Sequence, residues 1–208
     1  MLHRRAFLLL TSAFAGAFSL SGPLTGRMAA FAQGTDRATA FVKATGDRLV
    51  AVVNGPGSAE AKRRELTTII GSAIDVDGVG RFCLGRFWLQ ASAEQQKTYL
   101  ELFHKVLVTS VTAKLGEYQG VKLTVGRARQ QEEEQIVSTV VERPNNPPTT
   151  VDWVITQPLS APRIIDVIAE GTSLRITQRS DYASYLQRNG NSIDALIGAM
   201  RQQVSQHS

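Results

Sequence analysis

The hydrophobic period changes at Gly120, and that change limits the folds open to this chain more than any other feature. Before it, apolar residues recur at helical spacing; after it, they alternate. "SAEQQKTYLELFHKVLVTSVTAKLGEY" predicts the longest helix, over about 92–118, with Tyr99, Leu100, Phe103, Val106, Leu107, Val111, Leu115 and Tyr118 on one broad face. Ser92 and Gln95 give it a capping-box start. Beyond Gly120, "VKLTVGRARQ" sets Val121, Leu123 and Val125 against Lys122 and Thr124, and "EEEQIVSTVVER" follows as a hairpin partner. "NNPP" at 145–148 is a turn, and "TVDWVITQ", "PRIIDVIAEG" and "TSLRITQ" complete an expected meander of four or five strands. "WVI" and "IIDVIA" are apolar on both faces, so both faces of the sheet need an apolar cover, from helices or from a ligand.

The flanking segments read as helices. "ATAFVKATGDRLVAVVNGPG" places Phe41, Leu49, Val52 and Val53 near helical spacing and stops at the Gly/Pro cluster. Ser58 is the expected N-cap of the next helix. Residues 74–90, Gly-punctuated and aromatic, predict two short helical turns joined at Gly85. After the sheet, "RSDYASYLQRNG" predicts a helix capped by Ser180 or Asp181 and stopped at Gly190. A last helix carries Ile193, Leu196, Ile197, Met200 and Val204. Helices, then a meander, then two helices make an α+β chain.

The N-terminus reads as an export signal. Arg4 and Arg5 precede an apolar run from Ala6 to Leu20, and "AFA" at Ala30–Ala32 suits cleavage between Ala32 and Gln33. The run is short against the roughly 20 residues of a spanning helix. "RRAFL" resembles a twin-arginine core, so that route and ordinary secretion both fit. Removing residues 1–32 leaves 176 residues, enough for one domain over 33–208 with its own core. The expected division is a helical lobe over about 36–118, a sheet over about 121–178 and C-terminal helices over about 180–205. Arg4, Arg5 and Arg27 leave with the signal, so the net charge falls from +5 to +2. Basic residues are scattered, and the longest run, Lys62–Arg64, reads as a solvated helix face rather than a nucleic-acid stripe.

Motifs that carry chemistry are missing. Beyond the signal, His104 and His207 are the histidines and Cys83 the cysteine, so zinc-type ligand spacing is absent and no metal or cofactor is expected. Cys83 lies among apolar residues in "RFCLG" and reads as a small buried hydrophobe. The sequence holds no G-x-S-x-G elbow, no phosphate-cradling loop and no dinucleotide fingerprint. Glu132–Glu134 read as a solvated hairpin turn. Asp166, within "IIDVIA", is the acid that stands out: either a buried acid or base, or a partner for Arg163, Arg175 or a backbone amide, the pairing being favoured.

"IDVDGVGRFCLGRFWLQASAEQQKTYLELFHKVL" is similar to the mid-region of MlaC-type periplasmic phospholipid-binding proteins, the soluble component of a lipid-trafficking ABC system. The shared features are Asp75, Leu84–Gly85 with Trp88, Ser92 with Gln95, and Tyr118. "VDWVI", "IIDVIAEGTSL" and "RSDYASYLQRNG" resemble the family's tail, and the likeness runs over about 38–204. The tail also resembles a hopanoid-associated branch, HpnM. Ser160–Pro162 and Gln178 stand where the family often has aromatics, so the pocket edge and the lipid's identity differ in expectation.

The resemblance implies an NTF2-like curved antiparallel sheet packed on a helical lobe, with an apolar lipid cavity between them. It implies a periplasmic, non-enzymatic carrier of phospholipid or hopanoid. Its implied partners are an inner-membrane ABC transporter complex and an outer-membrane lipoprotein complex. The residues expected to line the slot are Phe103, Val106, Leu107 and Val111 of the long helix, Phe82, Leu84 and Trp88 of the mid-region, and Trp153, Ile155, Ile165 and Val167 of the strands. Tyr182 and Tyr185 are expected to close one side. A one-residue slip of register would invert the strand assignments. Two alternatives stay open: an enzyme with Asp166 as acid or base on an apolar substrate, and a scaffold with a filled core.

Overall fold

The computed structural model describes residues 24–113, 115–157 and 159–206, with side chains described from residue 33 onward. Its elements run α1 (Leu24–Asn54), α2 (Ala59–Ala73), α3 (Val76–Leu84), a 3-10 turn (Gly85–Leu89), α4 (Ala93–Ala113) and a second 3-10 turn (Leu115–Tyr118). Then come β1 (Lys122–Gln131), β2 (Glu134–Glu142), β3 (Thr149–Thr156), β4 (Arg163–Ala169), β5 (Thr172–Ser173), α5 (Leu174–Arg188) and α6 (Ile193–Gln206). Residues 1–23 of the expected export signal, and His207, lie outside the described residues; α1 runs across the expected cleavage point.

Local chemistry explains most of the helix starts. Ser58 Oγ accepts from the Ala61 N–H at 3.2 Å. At α4 the capping box closes both ways, with Gln95 N–H to Ser92 Oγ at 3.2 Å and Ser92 N–H to Gln95 Oε1 at 3.0 Å. The long helix ends at Ala113, and a 3-10 turn completes the segment to Tyr118. Gly85, at φ 60°, turns the chain from α3 into the first 3-10 turn, as the sequence predicts.

The sheet is a five-stranded antiparallel meander in the order β1-β2-β3-β4-β5. Val137 stands opposite Trp153 and Trp153 opposite Val167, so these three share one face. That face packs against α1 through Phe41, Ala38 and Val42. Thr35 Oγ1 also donates to Gln135 Oε1 at 2.9 Å from α1. On the opposite face, Asp152 accepts from Ser138 Oγ at 2.5 Å and from Arg129 at 3.0 Å. Ile136 and Val154 are buried on that same face, and Asp166 points from it to the start of α5. α1 covers the first face, while the helical lobe meets the second mainly at β4, through α3 and α5, and leaves Val140 exposed on it.

Two expectations about elements fail. "TSLRITQ" is not a strand: only Thr172–Ser173 pair with β4, and α5 starts at Leu174 with Ser173, not Ser180 or Asp181, as its N-cap. Ser173 Oγ accepts from the Ile176 N–H at 3.2 Å, and Asp166 Oδ1 accepts from the Arg175 N–H at 3.1 Å. These two bonds satisfy orphan donors of the first helical turn and favour helix over ladder. In β4, a register shift makes Ile155 face Ile164 while Val154 faces Asp166. Ile165 is the extra residue of this bulge, so Ile164 takes the inward position that alternation assigns to Ile165.

Candidate functional site

The apolar residues expected to line a slot fall into two groups. Phe82, Leu84, Trp88, Phe103, Val106, Leu107, Tyr182 and Tyr185 belong to a cluster built by α3, α4, α5 and α6. Trp153, Ile155 and Val167 belong to a second cluster, between the sheet and α1. Among the described residues Ile74 is the one apolar side chain packed against both. We call the line where they meet the seam. Hydrogen bonds fasten it at one point: Ile74 bridges Ile164, the Asp75 N–H donates to Ile164 O at 3.0 Å, and the Arg163 guanidinium donates to Ser72 O. Two expected residues lie off both clusters: Ile165 on the bulge, and Val111, 39% exposed near the end of α4.

The helical cluster is anchored by aromatic side chains. Tyr99 is fully buried, its hydroxyl donates to Gly80 O at 2.8 Å, and its ring meets Tyr182 edge-on at 6.2 Å between centroids. Burial pushes the Tyr99 and Tyr182 phenols well above their ordinary range, so both stay neutral. The Tyr182 hydroxyl is buried without a hydrogen-bond partner. Tyr182 and Tyr185 also line a cleft of about 460 Å³ between α5 and α6. A more apolar cleft of about 480 Å³, lined by Ile70, Val108, Val204 and His104, opens between α2, α4 and α6.

Asp166 and Cys83 are both built into the packing between the sheet and the helical lobe. Asp166, 6% exposed, accepts from the Val167 N–H at 2.8 Å, the Arg175 N–H at 3.1 Å and Ser173 Oγ at 2.5 Å, with Arg175 Nε at 3.4 Å from the second oxygen. Both oxygens thus hold β4 to the start of α5. Of the partners considered from sequence, Arg175 and backbone amides are used; Arg163 is not. Cys83 is 1% exposed, and its thiol lies 3.6 Å from Arg175 O. Burial first, then the Asp166 charge, push the thiol up to about 12, against weaker lowering by Arg175 and Arg179. A neutral thiol is a poor nucleophile. His104 Nε2 sits 3.0 Å from Asp77, half-exposed. Among the described residues no group of His, Cys, Asp and Glu is placed to hold a metal ion, and no helix is long and apolar enough to cross a membrane.

Sequence reasoning missed Leu102, Ile74, Ile164, Ala38 and Val42 as cluster residues. Leu102 lies beside the marked stripe of α4 yet is only 7% exposed. Ile74 sits at the break between two helices, where no period marks it. For Ala38 and Val42, recurrence four apart in "ATAFVKA" is the signal that could have found them.

The chain's fold matches that of a phospholipid-binding protein from Ralstonia solanacearum, solved in complex with a phospholipid. The TM-score is 0.71 at 21% identity, covering 81% of this chain and 97% of that one. In sequence it is 25% identical over 142 residues to the toluene tolerance protein ttg2D of Pseudomonas putida, covering 67% of this chain. The match spans 66% of that relative's length, slightly under two thirds. The family model for the MlaC protein matches residues 43–202, well over half of the sequence and containing both the helical lobe and the sheet. The chain belongs to the MlaC protein family.

Proposed function

We propose that this protein is a non-enzymatic lipid carrier that holds the acyl chains of a phospholipid in the seam between its two apolar clusters. The observation that carries the reading is the division of the core: two clusters share Ile74 instead of interlocking along their length. A hydrocarbon chain entering there adds contacts to both sides without exposing either. Burying hydrocarbon contributes about 0.8 kcal/mol per CH₂, so a palmitoyl chain in water is disfavoured by on the order of 10 kcal/mol. A carrier supplies an apolar sleeve for the crossing and leaves the phosphate in solvent, where its charge is not desolvated.

The fold match to a protein solved with a phospholipid supports the ligand class. Family membership supports a periplasmic setting, as does the export-signal pattern of residues 1–32. On this reading the cargo moves between an inner-membrane ABC transporter complex and an outer-membrane lipoprotein complex. No covalent step is assigned, because Asp166 is used as a cap and Cys83 is buried and neutral.

Native mass spectrometry of protein purified without detergent tests the reading. The expected spectrum carries an added phospholipid mass that disappears on delipidation. A hopanoid mass in its place would assign the cargo to the hopanoid-associated branch. A bare spectrum that gains no mass on incubation with phospholipid would overturn the carrier.

A further inference from the structure

We propose that the Gly85–Leu89 turn docks this protein onto anionic phospholipid bilayers, with Leu89 entering the acyl region and Arg81, Arg86 and Arg179 meeting lipid phosphates. Docking at this turn is separate from the binding of cargo in the seam. Leu89 is 88% exposed, the most exposed large apolar side chain among the described residues. Its turn is rigid. Phe87, 3% exposed, fixes it to the core, and Trp88 packs half-buried against the helical cluster. The Gln90 N–H closes the turn onto Phe87 O at 3.1 Å. A leucine held outward by such a turn is not a core residue that failed to pack.

Three exposed guanidinium groups lie on the turn or against its rings and its Gly85. Arg81 lies 5.5 Å from the Trp88 ring centre and Arg86 5.0 Å from that of Phe87. Arg179 reaches in from α5, 4.9 Å from the Phe82 ring, over the bare Cα of Gly85. None of the three has an ion pair among the described residues, whereas Arg48, Arg64, Arg129 and Arg175 do. Stacked on a ring, a guanidinium keeps its N–H edge free and is oriented to take a phosphate in two-point fashion. Outward leucine, half-buried tryptophan and unpaired arginines form the side-chain set of an interfacial anchor. Neither of the two clefts described above is lined by any of residues 81–89. An acidic protein surface would match the arginines and leave Leu89 uncovered; a bilayer satisfies both.

Co-sedimentation of the purified protein with phosphatidylcholine vesicles, with and without phosphatidylglycerol, tests this. Binding should require phosphatidylglycerol and weaken as salt screens the surface. Leu89→Ser should weaken it about tenfold, and Arg86→Gln about fivefold. Arg63→Gln, which removes an exposed charge on α2, should leave it unchanged. Circular dichroism should show all variants folded, and native mass spectra should show their bound lipid unaltered, which separates docking from cargo. Equal binding of Leu89→Ser and the parent, equal losses in Arg63→Gln and Arg86→Gln, or capture of an acidic protein without any vesicle binding would each overturn the proposal.

Discussion

Asp152 and Asp166 occupy the same face of the sheet, and each is tied down by its neighbours. For Asp152, burial opposes ionisation, but the hydrogen bonds from Ser138 and Arg129 and the Arg129 charge outweigh it, holding the carboxyl below its ordinary range. A carboxyl lowered by folding stabilises the native state fully above its unfolded value, and that stabilisation fades as pH falls through the folded value. Stability measured by urea denaturation should therefore decline from about pH 5 downward, and Asp152→Asn should make that decline shallower. An unchanged slope would show that Asp152 contributes nothing to acid sensitivity. Asp166 was legible as unusual because it interrupts an apolar strand, but its role was not. The donors that saturate it, Ser173 and the Arg175 amide, come from a turn and a helix end that no local pattern announces.

At the scale of elements, the Gly85 turn carries both the shape of the lobe and the proposed anchor. Its φ of 60° with ψ of −132° is a region that L side chains avoid, and a methyl group there would lie 3.2 Å from the Arg179 guanidinium. Gly85→Ala should lower unfolding free energy by about 1–3 kcal/mol, read from the denaturation midpoint; a loss below measurement error would show that the turn relaxes freely. The period change at Gly120, the capping box of α4 and the Ser58 cap were all legible, because each depends on residues within one turn of one another. α5 was not. Leu174 and Ile176 alternate as strand residues do, yet they are 52% and 58% exposed at the start of a helix. Caps supplied by Ser173 and by Asp166 across the sheet override the pattern. The bulge at Ile165 was hidden for the same reason: register belongs to the strand pair, not to either strand.

At the scale of the whole molecule, the core is divided into two parts that meet at Ile74. Composition showed an apolar surplus, and the strands showed that both sheet faces need cover. Neither could show that the apolar residues segregate into a helical cluster and a sheet–α1 cluster, because that division depends on how the lobe rotates onto the sheet. The sequence contains two tryptophans, and one stands in each cluster: Trp88 on the helical side, Trp153 on the sheet side. This allows occupancy of the seam to be read directly. In a Trp88→Phe variant, the emission of Trp153 should be strongly quenched when the protein is loaded with a phospholipid brominated along its acyl chain, and unaffected by the unbrominated lipid. Bound brominated lipid that leaves Trp153 emission unchanged would place the hydrocarbon elsewhere and contradict the account.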